Sequence, residues 1–263
     1  MYTRGDIMNR IDTLKDWIRR YTGTSATDFG EWILLTNFQN YVENFAERFN
    51  VDVQGRGGPM SSATNTQGLS IINFGMGSAN AATIMDLLCA VQPKGVLFLG
   101  KCGGLKHSTE IGNFILPSAA IRGEGTGDDY LPKEVPAMPS FKIHKHVSQI
   151  LVKMGFEYRT GVIYTTNRRV WEYDNEFRSY LKQIRVLGID METATLFIVG
   201  FANSIQRGAL LLVSDVPLTP DGVKTEESDK QVTKDYADLH LEMGIQAMTS
   251  IEAEGEQIKH FTY

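Results

Sequence analysis

Cysteine is scarce: Cys89 and Cys102 are the only two in 263 residues, too few for a disulfide framework and too few for a cysteine-based zinc site. That scarcity fits a reducing cytoplasm, which is the expected location. No apolar stretch approaches the roughly 20 residues of a membrane span. The N-terminus, with Arg4, Asp6 and Arg10 among few apolar residues, does not read as a secretory signal. There is no surplus of basic charge. A net charge of −5 gives no overall electrostatic reason to bind nucleic acid or an acidic membrane. Histidines are few and badly placed for a metal: His144 and His146 are two apart on a predicted helix, and His107, His240 and His260 have no ligand spacing. No metal and no cofactor is expected. A Gly-x-Ser-x-Gly elbow and a Walker-type lysine loop are also absent.

What remains is a hydrophobic content of 42% and a charged content of 22%, ordinary for a globular chain long enough to bury a large core. Ile7, Ile11, Leu14, Ile18 and Tyr21 fall at helical spacing, predicting an amphipathic helix over 6–21. Trp32 to Thr36 reads as a strand and Gln39 to Phe49 as a helix. Residues 54–68 have no periodic apolar pattern and read as a loop or loose hairpin. From Leu69 the pattern is β-α-β: strand to Phe74, the turn Gly75-Met76-Gly77-Ser78, helix Asn80 to Val91, then strand Gly95 to Leu99. Gly100-Lys101-Cys102-Gly103-Gly104 is expected to be the turn that ends it. Gly112 to Ile121 is a further strand, and 122–139, rich in glycine and proline, is expected to be a long structureless loop of the kind that forms lids.

The second half continues with a helix from Phe141 to Met154, a strand from Tyr158 to Thr165 and a helix from Tyr173 to Lys182. Ile184, Val186 and Leu187 read as a short strand leading to Gly188-Ile189-Asp190-Met191-Glu192-Thr193, where a helix begins. Gly208 to Val213 is a nearly all-apolar strand ending in Ser214-Asp215. Residues 229–254 close the chain as a long helix, with Tyr236, Leu239, Met243 and Met248 facing inward. The expectation is one α/β domain over 1–263, with a central mixed β-sheet flanked by helices and residues 1–60 as an N-terminal extension packed on it.

Several residues stand where open α/β sheets bind ligands, at strand ends. Glu192 reads either as a ligand group or as a first-turn helix charge. Gly77 can expose a backbone N–H to an anion at a helix start, or serve tight packing. The three glycines of residues 100–104 allow close approach of a ligand, and Lys101 among them puts a cation at the sheet edge or on the surface. Asp215 beyond an apolar strand must be solvated, paired or protonated. Trp171, after Arg168-Arg169, stacks on a base or caps the core.

Together these motifs resemble the nucleoside phosphorylase/nucleosidase superfamily, purine type: Gly75-Met76-Gly77 after one strand, Gly100-x-Cys102-Gly103 after the next, Met191-Glu192 opening a helix, and Ser214-Asp215 closing a later strand. Within it the chain looks most like the AMP nucleosidase family. The supporting residues are Gly103-Gly104-Leu105, Arg159-Thr160-Gly161, Thr165-Thr166 with Arg169, Trp171 and Glu172, and Val213-Ser214-Asp215-x-Pro217-Leu218 followed by Lys224. The resemblance implies that Met191 packs under a ribose, that Glu192 accepts hydrogen bonds from both vicinal hydroxyls, and that Asp215 protonates N7 of a purine. It implies AMP as substrate, with Lys101, Arg169 and Lys224 as cations for its 5′-phosphate, and a homo-oligomer, expected to be a hexamer. Too little chain precedes the match to supply the extra N-terminal domain of the long form, so no separate regulatory domain is expected. Phosphorolytic purine members carry Gly-Asp-Pro-x-Arg and a second arginine before the Cys-Gly; this chain has no Gly-Asp-Pro, and the second motif reads Phe98-Leu99-Gly100-Lys101. With both guanidinium groups missing, water is the expected nucleophile. A purine nucleoside phosphorylase, a 5′-thio-nucleoside hydrolase and a non-catalytic nucleotide sensor are the alternatives.

Overall fold

A strand covered on both faces needs apolar side chains at consecutive positions, and Trp32–Thr36 (β1) is buried throughout. The computed structural model describes residues 4–220 and 222–254. Around β1 lie Ser61–Thr64 (β2), Leu69–Asn73 (β3), Gly95–Gly104 (β4), Phe114–Gly123 (β5), Arg159–Thr166 (β6), Gly188–Asp190 (β7) and Arg207–Asp215 (β8). They form one mixed sheet in the order β2-β3-β1-β4-β7-β6-β5-β8. Because β8 also pairs with β4, the last five strands close on themselves and β2-β3-β1 forms a flank.

The helices are Arg4–Thr22 (α1), Gln39–Phe49 (α2), Ser78–Leu87 (α3), Phe141–Lys153 (α4), Asn175–Gln183 (α5), Thr193–Ala202 (α6) and Glu226–Glu254 (α7). Residues of α1, α3 and α6 share one core with Ile33, Leu35, Phe98 and Leu211. Those of α2, α4 and α7 share the other with Leu34, Leu97, Leu99 and Leu212. This is the expected α/β class. The period of two along β4 sends Val96 and Phe98 to the first core and Leu97 and Leu99 to the second. Lys101 keeps the register of Leu97 and Leu99, which turns it toward α7. In α1, Leu14 and Ile18 are buried as predicted; the side chain of Ile7 lies outside the described residues.

Four expectations are corrected. Gly100 to Gly104 is not a turn: β4 continues through it, held by parallel pairing with β8 and by antiparallel contact of Gly103 and Gly104 with β7. The strand before α6 is Gly188–Asp190, not 184–187. Residues 54–68, expected as a loop or loose hairpin, contain β2, which pairs antiparallel with β3, and its small polar side chains find partners outside the strand: Ser62 Oγ lies 2.8 Å from Thr24 Oγ1 and Thr64 Oγ1 2.8 Å from Ser70 Oγ. The N-terminal extension does not reach to residue 60, since β1 lies between β3 and β4. Finally, 122–139 is not a free loop. Arg122 donates to the carbonyls of Leu131, Pro132 and Val135 and to Asp128, and Tyr130 donates to Asp86 at 2.6 Å, so the segment is tied down.

At Gly100 a Cβ would stand 2.4 Å from the buried Phe98 ring and 3.1 Å from Leu211. Gly100→Ala is therefore expected to lower stability by about 1–3 kcal/mol through overpacking. Urea unfolding would measure this. Activity per folded molecule should survive, and loss of activity without loss of stability would return Gly100 to the site.

Candidate active site

Three features of the sheet make a cleft. β1 stops at Thr36, opposite Leu99, while β4 and β8 run on together, pairing Lys101 with Leu212, Cys102 with Val213 and Gly103 with Asp215. A register shift at Cys102/Gly103 interrupts that pairing. And β1 has β3 on one side and β4 on the other, so the chain leaves it in opposite directions, the arrangement that opens a crevice at strand C-termini. The resulting cleft is open to solvent and has a cavity volume of about 180 Å³.

Glu192 enters from the turn between β7 and α6. Its Oε1 accepts the Gly77 N–H at 2.8 Å and its Oε2 the Met191 N–H at 3.3 Å. The anion expected at the Gly77 turn is thus the protein's own glutamate. Ser78 Oγ adds a 2.7 Å bond to the Met191 carbonyl, so the turn after β3 and the turn before α6 are clamped together. Asp190 beside it has a different task. It accepts from Thr165 Oγ1 (2.7 Å), Thr193 Oγ1 (2.6 Å) and the N–H groups of Thr193 (2.8 Å) and Glu192 (3.3 Å), capping α6.

These two carboxyls share one buried corner. Burial, and then the Asp190 charge, push Glu192 up to about 8, against the pull of its N–H donors and the Asn37 amide. Burial also pushes Asp190 up, against the pull of its four donors.

Asp215 ends β8. Burial raises its carboxyl and Lys224, with Nζ 3.7 Å from Oδ1, opposes the rise. Ser214 Oγ donates to the same Oδ1 at 2.8 Å, which leaves Oδ2 as the oxygen to carry a proton. Asp215 and Glu192 line the same cleft, together with Met191, Lys101, Arg169, Trp171 and Lys224. Gly77 acts through Glu192 rather than as lining. Gly100 is corrected: it lies within β4 against Phe98, outside the cleft.

The cations differ in how committed they are. Lys101 is buried and bonded to Asp229 and Thr233, and Lys224 lies between Asp215 and Asp229. Arg169 is about half exposed, with one contact of 3.4 Å to Glu172. Trp171 is buried edge-on against Phe177, with its main-chain N–H bonded to Glu172, so it caps a small core while facing the cleft.

Sequence reasoning missed Asn37 and Asp229. Asn37 follows β1, lines the cleft with its amide helping to lower the Glu192 carboxyl, and leaves a buried Oδ1 with no partner among the described residues. Asp229 sits in the first turn of α7. Each is legible only through partners more than a hundred residues away. Among the described residues no three His, Cys, Asp or Glu side chains converge as metal ligands would, and no helix is long and apolar enough to cross a membrane.

The sequence profile of the Phosphorylase superfamily matches residues 32–247, from β1 into α7. The chain belongs to the Phosphorylase superfamily. Within it, the crystal structure of AMP nucleosidase from Bacteroides thetaiotaomicron VPI-5482 is similar at 48% identity and a TM-score of 0.83, covering 93% of this chain and 98% of that one. AMP nucleosidase of Escherichia coli K12 is 28% identical over 95% of this chain and 60% of its own length. The chain thus spans about 60% of the length of the curated relatives it matches first. Uridine phosphorylase of Treponema pallidum is 23% identical over 73% of this chain and 80% of its own. A uridine phosphorylase structure from Vibrio fischeri ES114, at 18% identity and a TM-score of 0.75 over 90% of this chain and 97% of that one, shares the fold. The resemblance to AMP nucleosidases, read from short motifs, therefore extends over most of the superfamily domain.

Protonation of Glu192 is linked to folding. Its carboxyl rises from the ordinary 4.5 to about 8 on folding, so the stabilisation is complete below about 4.5 and is lost as pH rises to about 8. Glu192→Gln lacks this dependence. Across that window wild type should lose stability relative to the variant by up to about 1.4 kcal/mol per pH unit. Urea unfolding of both proteins at several pH values would measure it, and parallel curves would contradict it.

Proposed function

We propose that this protein hydrolyses the N-glycosidic bond of AMP, giving adenine and ribose 5-phosphate. The observation that carries the reading is that a partly buried acid at a strand end and a buried carboxyl at a helix start line one cleft. Similarity to AMP nucleosidases of Bacteroides thetaiotaomicron and Escherichia coli supports the substrate.

In this mechanism Asp215 delivers its proton to N7 as the C1′–N9 bond breaks and its electron pair leaves with the base. Glu192 accepts both vicinal hydroxyls of the ribose, for which its two oxygens suffice. Two O–H donors favour the carboxylate, so sugar binding and loss of the Glu192 proton go together. Met191 packs beneath the ring. A water oxygen bonds C1′, and the proton it gives up restores Asp215 in the net reaction. Acid assistance of this kind contributes on the order of 10²–10⁴-fold. Asp190 is not the base that activates water, because its donors already occupy it.

Arg169, the cation least committed to the protein, meets the 5′-phosphate at the mouth, with Lys224 deeper in. Lys101 reaches the cleft with its charge taken by Asp229. The superfamily also holds phosphorylases, and the missing arginines favour water over phosphate. A homo-oligomer, with a hexamer as the size implied by the family, belongs to the same proposal and is read by light scattering.

The deciding experiment follows base release from AMP, adenosine and inosine with and without inorganic phosphate. Adenine from AMP in the absence of phosphate is the expected result. Strict dependence on phosphate would make the protein a phosphorylase, and stoichiometric AMP binding without adenine would make it a sensor. Asp215→Asn should lower kcat about 10²–10⁴-fold with little change in KM; near-wild-type turnover would remove Asp215 from the reaction. Arg169→Ala should raise KM for AMP about tenfold and leave adenosine nearly unchanged. Equal effects on the two substrates would reject a phosphate contact.

A further inference from the structure

Beside the reacting groups lies an ion cluster in which the proposed chemistry gives Lys101 and Asp229 no part. The Lys101 side chain is 3% exposed, and its ammonium donates to Asp229 Oδ1 at 2.9 Å and Thr233 Oγ1 at 2.7 Å, with the Phe38 ring centre 4.6 Å away. Lys224 Nζ lies 3.5 Å from that same Asp229 oxygen and 3.7 Å from Asp215 Oδ1. Asp229 and Thr233 are four residues apart on α7, one turn, so both reach Lys101 where β4 outruns β1. Lys101, Lys224 and Asp229 all face the cleft.

Two ammonium groups around one oxygen are what a phosphate dianion would seek. Without Asp229 the pair would be a +2 site in an open cleft next to the place where the sugar carbon reacts. With Asp229 in place, one anionic oxygen already bridges both cations. It is tethered at the helix start, so a free anion competes with a partner present at an effective concentration on the order of millimolar or above. The start of α7 also favours negative charge at this position.

We infer that Asp229 is a built-in anion that keeps free oxyanions, inorganic phosphate above all, off the Lys101–Lys224 pair, a specificity device for a cleft in which water is the acceptor. The inference rests on the hydrolytic reading for its purpose, and on the ion cluster alone for its binding consequence. Asp229 is thus a positioning and specificity residue, not a catalytic one.

The test is calorimetric titration with inorganic phosphate at low ionic strength, where such contacts are least screened. Wild-type protein should bind phosphate more weakly than about 1 mM, the tethered-anion scale. Asp229→Asn should bind it at least about tenfold tighter, since the ammonium pair then lacks its counter-charge. Adding Lys101→Met to that variant should abolish the gain, and Asp229→Glu, which keeps the charge, should behave as wild type. The inference is overturned if Asp229→Asn gains no affinity, as happens if the buried Lys101 simply sheds its proton, or if the gain survives Lys101→Met. If Asp229→Asn is recovered unfolded, Asp229→Ser carries the same expectation. Submillimolar phosphate binding in the wild-type cleft would overturn the inference without any variant. Because the readout is binding, it is independent of whether adenine is released from AMP: failure of the hydrolytic reading appears only in the base-release assay.

Discussion

Everything at the site hangs on a buried carboxyl gripped by main-chain N–H groups. Glu192 is held by the amides of Gly77 and Met191, the first contributed by a turn 115 residues earlier in the chain. Gly77 adopts φ +94°, a conformation that side-chain-bearing residues rarely take, and this sets its N–H where α3 begins. A backbone donor cannot swing away as a side chain can. The carboxyl is therefore fixed relative to the sheet, and the bond from Ser78 to the Met191 carbonyl makes the clamp two-sided. Asp190, four times bonded, keeps the turn in shape without entering the chemistry.

The second constraint is a difference in strand length. β1 contributes five residues and β4 ten, so the far half of β4 has β8 and β7 beside it but no longer β1. That overhang delivers Lys101 to the α7 side, and the adjoining end of β8 delivers Asp215. Two carboxyls, one buried and one partly buried, each raised by desolvation, then share one cleft with cations whose charges are mostly spent on the protein. Such an interior suits proton transfer to a leaving base better than capture of a free anion.

The parts legible in the sequence were those that local pattern decides. The apolar run Gly208 to Val213 located the strand that ends at Asp215, and the change from short strand to long apolar run located the helix opened by Glu192. Register and long-range pairing were not legible. Gly100 to Gly104 has a turn's composition, yet it is a strand because β8 supplies the ladder that glycine's own preferences do not. Segment 122–139 has a lid's composition, but the guanidinium of Arg122 gathers its carbonyls and ties it down. Asp229 and Asn37 look like ordinary polar residues until the fold brings them to Lys101 and Glu192. Charge in a sequence shows that a group exists; only the fold shows whether that charge is already neutralised.

The central claim is geometric, and a crystal structure with a non-hydrolysable AMP analogue tests it most directly. The account predicts both Glu192 oxygens within hydrogen-bond distance of the two vicinal hydroxyls and Asp215 Oδ2 within that distance of N7, in a single bound molecule. A ligand whose sugar turns away from Glu192, or whose base lies beyond the reach of Asp215, would contradict it.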